Sequence, residues 1–165
     1  MWAILKFDKK NLLNLKQDLK KKLGEDVSIY SPKLCIQKYK RNKIVKKEFD
    51  LLGDYLFCYH KKFENPLTIN SLKFTKGLKY FLNGFIESQL EIKQFIEKCK
   101  QSEDSKGYLN QNFFEINTAL DYKFSSGPFV EKIFKIVKCQ KNKIDILLGN
   151  IRTTINKNKF LFTPL

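Results

Sequence analysis

The chain has 165 residues, with 32 Lys and Arg against 17 Asp and Glu, a formal net charge of +15, and 42% apolar residues. That length suits one domain or two small ones, and 15 Phe with seven Tyr supply enough apolar area to bury a core, which excludes a disordered chain. No run of about 18 uncharged apolar residues occurs, which excludes a transmembrane helix; the opening Met1-Trp2-Ala3-Ile4-Leu5-Lys6 lacks the pattern of a secretion signal, so a cytoplasmic protein is expected.

Residues 2–7 are a short apolar run rich in strand formers and read as a strand. Leu12, Leu15, Leu19 and Leu23 then form one helical stripe, and Gly24 stands where a C-terminal cap belongs, so a helix is expected over 11–23. Residues 27–30 read as a second strand. Two further strand-rich segments, 34–39 and 44–49, flank Lys40-Arg41-Asn42-Lys43 and predict a β-hairpin with a basic tip. Between Lys33 and Lys47, seven of 15 residues are Lys or Arg. In the strand expected over 54–59, a period of two places Tyr55, Phe57 and Tyr59 on one face and Leu56 and Cys58 on the other.

Asn65-Pro66 marks the start of a short helix that ends before Gly77, because Asn caps well and Pro suits the first helical position. Residues 78–82 are a strand and Asn83-Gly84 a turn. Ser88-Gln-Leu-Glu91 is a capping box, followed by Ile92, Phe95, Ile96 and Cys99 at helical spacing. Residues 101–112 are polar, contain Gly107, and read as a linker. Only strand patterns follow, over 119–124, 130–139, 143–148 and 151–155, and a run of short strands in so few residues implies a small barrel. The expected organisation is therefore an α+β chain: an N-terminal α/β sandwich with a mixed sheet over 1–100, a linker over 101–112 and a small β-barrel over 113–165. By sequence order the charge is concentrated early, net +11 in residues 1–100 and +4 beyond.

Little in the chain suggests catalysis. Cys35, Cys58, Cys99 and Cys139 lie 23, 41 and 40 residues apart, with no pair at metal-ligand spacing, and His60 is the only histidine. The seven glycines never cluster into a phosphate loop. Asp50, Asp54 and Glu64 beside lysines leave a small Mg²⁺-dependent nuclease as one alternative, although their spacing forms no known motif. No cofactor, no metal and no catalytic residue is expected. The charge itself is ambiguous: 30 of the 32 cations are Lys, and base reading favours the Arg fork, so phosphate contact without sequence readout competes with mere solubility.

The layout resembles the NusG family of transcription elongation and antitermination factors, including its RfaH-like paralogues. The likeness spans nearly the whole chain through dispersed motifs: the Trp2 strand and following helix, Leu51-Leu52-Gly53-Asp54-Tyr55-Leu56-Phe57, Phe74-Thr75-Lys76-Gly77-Leu78, Ser126-Gly127-Pro128-Phe129 and Gly149-Asn150-Ile151-Arg152-Thr153. Gly53 stands where the family usually has proline, and Val130-Glu131 replaces the glycine usual after Gly-Pro-Phe. The resemblance implies a KOW-type barrel at the C-terminus and a non-enzymatic, monomeric factor that binds the RNA polymerase clamp and suppresses pausing or termination. It implies a polymerase-binding face of Trp2, Ile4, Tyr55, Phe57 and Tyr59, with Thr68 and Ser71 contacting the opposite side of the cleft. Lys38, Lys40, Arg41, Lys43, Lys46 and Lys47 would then approach upstream or non-template DNA, and the barrel would meet a ribosome or termination factor. The other alternative is an RNA-binding or ribosome-associated KOW protein without polymerase contact. A face carrying Tyr55, Phe57 and Tyr59 is expected to lack an intramolecular cover if both helices lie on the other side of the sheet.

Overall fold

A computed structural model describes residues 1–165. The chain is α+β and divides into two units that interleave along the sequence: Met1–Pro32 with Asp50–Glu97, and Lys33–Phe49 with Lys98–Leu165.

The first unit is built on strands β1 (Trp2–Phe7), β2 (Ser28–Tyr30), β5 (Tyr55–Tyr59) and β6 (Leu78–Phe81), in the order β2-β5-β1-β6. Every pairing is antiparallel, which corrects the expected mixed sheet. Helix α1 (Leu12–Leu23) does return the chain so that β1 and β2 run the same way, but β5 inserts between them and opposes both. Registered pairs share a face, so Leu5 opposite Leu56 and Ala3 opposite Cys58 define one side, and Ile4 opposite Phe57 and Lys6 opposite Tyr55 the other. The first side is the core: Ala3, Leu5, Leu56 and Cys58 are at most 1% exposed, and the α1 stripe of Leu15, Leu19 and Leu23 joins the same buried cluster. Burial alone pushes the Cys58 thiol up to about 12.

Helix α2 (Pro66–Leu72) begins as its sequence dictates, with the Asn65 side chain accepting from the Leu67 N–H at 2.9 Å and Pro at the first position. Gly77 follows it at φ +88°, where an added Cβ would lie 2.7 Å from the Asn11 carbonyl oxygen, so this step into β6 admits only glycine. Helix α3 (Gln89–Gln101) starts one residue after Ser88, and the Gln89 side chain accepts from the Trp2 N–H at 2.9 Å and donates to the Trp2 carbonyl at 2.7 Å. It thereby satisfies the backbone of β1 where the shorter β6 does not reach.

The second unit contains the hairpin of β3 (Lys33–Lys40) and β4 (Lys43–Asp50), whose last residue falls in the first unit. Its turn is the two residues Arg41 and Asn42, both at positive φ (49° and 60°), the handedness that suits a twisted two-residue hairpin. Strands β7 (Asp121–Phe124), β8 (Ile133–Cys139), β9 (Lys143–Leu148), β10 (Ile151–Asn156) and β11 (Phe162–Pro164) form an antiparallel sheet in the order β10-β9-β8-β7-β11. This ladder is open, with β10 and β11 at its edges, rather than the closed barrel inferred from the run of strands. The edge strand β11 is three residues long and ends in Pro164, which has no N–H to offer a further neighbour. An aromatic core of Tyr122, Phe124, Phe134 and Phe162 with Ile136, Ile144, Ile146 and Ile155 covers one face, the Phe124 and Phe134 rings lying 4.3 Å apart.

The hairpin is tied to this unit by backbone and side chain. The Gln37 N–H donates to the Ser125 carbonyl at 2.7 Å, the Gly127 N–H to Gln37 Oε1 at 2.9 Å, and the Leu109 N–H to the Lys33 carbonyl at 2.8 Å. Residues 101–112, read as a linker, carry structure: an isolated bridge joins Glu103 to Leu109, and a 3₁₀ turn spans Gln111–Phe113. Buried Gln111 supplies its Oε1 to the Phe162 N–H at 2.9 Å. The composition is polar because these side chains satisfy backbone groups.

Candidate functional site

The non-core face of the first sheet carries the aromatic residues that the sequence singled out. Trp2, Phe57 and Tyr59 form one ring cluster, with centroids 6.4 Å apart for Trp2 and Phe57 and 5.3 Å for Trp2 and Tyr59. This face is not bare. Phe95 of α3 meets Phe57 at 5.8 Å and Tyr30 stacks on it at 6.3 Å, leaving Phe57 only 4% exposed. The expectation of an uncovered face is therefore corrected at Phe57: α3 takes that side of the sheet, because Gln89 anchors its first turn to Trp2 and turns Ile92 and Phe95 inward.

The cover is incomplete. Between α3 and the strands lies an apolar groove of about 460 Å³, lined by Ile4, Tyr55 and Phe57 from the sheet, Leu52 and Leu82 from its loops, and Glu91, Ile92 and Phe95 from α3. Leu82 is 37% exposed, and Tyr59, outside the groove, 40%. Trp2 also lies outside it. Thus three of the five expected face residues come together in the groove, and the two others flank Phe57. The α3 residues were legible as a helical stripe, but nothing in the sequence said which face they would meet.

One rim is polar. The Lys6 ammonium sits over the Tyr55 and Tyr80 rings, 5.1 and 5.6 Å from their centroids, and the two phenols are hydrogen-bonded to each other at 3.0 Å. The Tyr55 and Tyr80 phenols, with Asp54 at 4.0 Å, hold the Lys6 pKa above its ordinary value, so this cation stays charged at the mouth of an apolar groove. Lys79 reaches the same Asp54 at 3.8 Å.

Thr68 and Ser71 lie on α2 and do not line the groove. Ser71 is exposed, and its hydroxyl donates to the Thr68 carbonyl at 2.7 Å. Exposed apolar side chains bracket them: Leu67 is 74% and Phe74 93% exposed.

In the hairpin, Lys38, Lys40, Arg41, Lys43, Lys46 and Lys47 are all exposed, but the strand period divides them. Lys46 shares a face with Glu48, whereas Lys43 and Lys47 share the other with Phe49, over which the Lys47 ammonium lies at 4.8 Å. None of the six has an ion-pair partner in the structure.

The residues considered for catalysis are dispersed. Asp54 pairs with lysines, Asp50 accepts from the Ser31 hydroxyl at 3.5 Å, and no group of three or more His, Cys, Asp or Glu could hold a metal ion. His60 is 1% exposed: its Nδ1 accepts from the Lys62 N–H at 3.1 Å, so Nε2 carries the proton and donates to Asp26 at 3.1 Å. That bond holds the Asp26 carboxyl below its usual pKa and makes His60 a structural tie.

Partition by space reverses the partition of charge along the sequence. The first unit holds 13 Lys and Arg against ten Asp and Glu, net +3, and the second 19 against seven, net +12. The hairpin, early in sequence, belongs to the later unit.

No family model matches the chain, and neither does any curated protein. Solved structures similar to it include the MjSpt4:Spt5 complex in conformation B (13% identity, 100% of this chain and 98% of that chain, TM-score 0.31) and in conformation A (12%, 99% and 99%, 0.30). NusG of Thermotoga maritima, solved in a study of domain interaction, is similar at 13% identity over 94% of this chain and 91% of that chain, with a TM-score of 0.30.

Proposed function

We propose that this chain is a NusG-like, non-enzymatic transcription factor that docks on the RNA polymerase clamp through the groove between β1, β5 and α3 and suppresses pausing or termination. The observation that carries the reading is the groove itself: an open apolar surface on the strand that bears the Leu-Leu-Gly-Asp-Tyr-Leu-Phe run, in a unit whose other sheet face buries Ala3, Leu5, Leu56 and Cys58. Open apolar surface rimmed by charge, here Lys6, Asp54 and Glu91, is the composition of a protein interface. Trp2 and Tyr59 extend the contact, and Thr68 and Ser71 meet the opposite side of the polymerase cleft. The hairpin tip of Lys40, Arg41 and Lys43 approaches upstream or non-template DNA, and the C-terminal KOW-type portion takes a ribosome or a termination factor.

The test uses two groove residues that are not fully buried. A Tyr55→Ala, Leu82→Ala double variant should keep its fold by circular dichroism and lose polymerase binding at least tenfold, as truncated interface anchors do at about 2 kcal/mol. Unchanged binding by the folded variant overturns the docking. The net charge of +12 on the second unit favours one other reading, an RNA-binding or ribosome-associated protein; co-purification with ribosomes and not with polymerase would establish that reading instead.

A further inference from the structure

The second unit contains a cleft of about 420 Å³ between the β3–β4 hairpin and residues 104–110, 126 and 158–161. Its hydrogen-bonding inventory is weighted toward free donors. The acceptors are already occupied: Gln37 Oε1 by the Gly127 N–H, Ser126 Oγ by the Leu161 N–H, Asn110 Oδ1 by the Asn112 N–H and Asn158 Oδ1 by the Asn112 amide. Of the two carboxylates, Glu48 is engaged through both oxygens and Asp104 through Oδ1 alone. Asp104 accepts from the Lys106 and Tyr108 N–H groups at 2.8 and 3.0 Å, and Glu48 accepts from the Tyr108 hydroxyl and pairs with Lys33 at 3.4 Å. The Tyr108 bond lowers the Glu48 pKa, so that acid stays ionised and attached.

What remains, Asp104 Oδ2 apart, are donors. The Lys46, Lys106 and Lys159 ammoniums line the cleft without an ion pair, beside the free amide NH₂ groups of Asn110 and Asn158 and the free hydroxyl proton of Ser126. A site whose neutral side-chain acceptors each already take an internal bond, and whose unpaired charges are three cations against the single carboxylate of Asp104, is complementary to an anion with many acceptor oxygens. Two half-buried rings, Tyr108 and Phe160, share the wall. Tyr108 is held by its bond to Glu48, which pushes the phenol pKa up to about 12 and keeps it protonated as the donor.

We propose that this cleft binds the phosphodiester backbone of single-stranded nucleic acid, with the lysines and amides on the phosphates and Tyr108 and Phe160 against the bases. Phosphate contacts explain the donors, and stacking explains the rings. A strand, rather than a free phosphate, fits the charge that continues past the cleft onto Arg41 and the other hairpin lysines. A duplex keeps its bases stacked on each other and cannot present them to the rings. The site reads no sequence, as the Lys-rich composition requires. The inference does not rest on polymerase binding, and its test contains no polymerase.

The full-length protein is titrated by fluorescence anisotropy against oligouridylate and oligothymidylate of about ten nucleotides, a duplex of the same length, and uridine monophosphate or inorganic phosphate as competitors. Both single strands should bind more tightly than duplex, and the monophosphates should compete only weakly. The K46Q/K106Q/K159Q variant should lose about two units of the log–log salt slope, at roughly 0.7 per phosphate contact, while K123Q/K132Q/K138Q, with the same charge removed from β7, from the residue before β8 and from β8, none of them lining the cleft, loses less than half of that. Should the cleft variant misfold, NMR on the wild type decides: the side-chain amides of Asn110 and Asn158 should shift on adding oligouridylate. Equal losses in the two triple variants, preference for duplex, effective competition by monophosphate, or unmoved amides overturns the proposal. Stronger binding of one single strand than the other identifies RNA or DNA as the source and supports it.

Discussion

The two units are of similar size, 80 and 85 residues, and leave opposite kinds of surface unsatisfied. The first is nearly neutral and exposes an apolar groove in which few polar groups lack partners. The second carries most of the chain's net charge and exposes a cleft in which hydrogen-bond donors lack partners. Apolar surface is covered by another apolar surface, and free cationic donors by phosphate. The chain thus presents one surface with the chemistry of a protein interface and one with the chemistry of a polyanion site, and variants are expected to remove each without the other.

The largest effect should come from Phe57, where fold and groove overlap. It is 4% exposed and contacts Trp2, Tyr30 and Phe95, so Phe57→Ala should cost about 3–5 kcal/mol in chemical denaturation. A loss under about 1 kcal/mol would mean that α3 does not pack on this face, and the groove would then be a wider open sheet.

Gly127 makes the matching cut in the second unit. It sits at φ +85°, and a Cβ there would lie 2.6 Å from the Phe160 ring, which lines the cleft. Gly127→Ala should cost about 1–3 kcal/mol through backbone strain and displacement of that ring. Oligonucleotide affinity should fall with it, while polymerase affinity is unchanged. Equal loss of both would mean that the two surfaces are one.

Gln89→Ala comes next, at about 1–2 kcal/mol, because it leaves the Trp2 N–H and carbonyl without their partners. Polymerase affinity should fall too, since α3 loses its tie to β1. Retained stability would place water in the vacated positions.

These three residues also show how far the sequence could be read. The α1 stripe, the Asn65-Pro66 start, the basic hairpin and the capping box at Ser88 are local signals, and each element forms within a few residues of its expected bounds. Phe57 was legible as one of an alternating set, but its burial depends on α3 crossing to that face, which periodicity does not encode. Gln89 was visible only as the second residue of a capping box, and its reach to Trp2 spans 87 residues. Gly127 belonged to a recognisable Gly-Pro-Phe turn, and its contact with Phe160 is again long-range. The charge was misassigned along the chain for the same reason: the hairpin is covalently early, but Gln37, Lys33 and Glu48 bond it to residues 108–127. Strand β11 was missed because Phe-Thr-Pro is too short and too proline-bound to register as a strand.

The smallest effects are those of pH, and they probe whether the two units unfold separately. In the first unit the Asn11 amide, 2.6 Å away, holds Asp8 below its ordinary pKa, and His60 does the same for Asp26. In the second, Tyr108 does so for Glu48. A carboxyl whose folded pKa lies below its unfolded value binds its proton more readily in the unfolded chain, so its contribution is fully present above the usual carboxylate range near 4 and is lost as pH falls through the depressed folded value. Melting temperature should therefore be flat from pH 7 to about 5 and fall below about 4. Asp26→Asn should flatten that fall in the transition of the first unit and Glu48→Gln in that of the second, each by a small amount because all three carboxyls are solvated. If both variants flatten one common transition, the units unfold together, and the separation between protein-facing and anion-facing halves is one of surface chemistry alone.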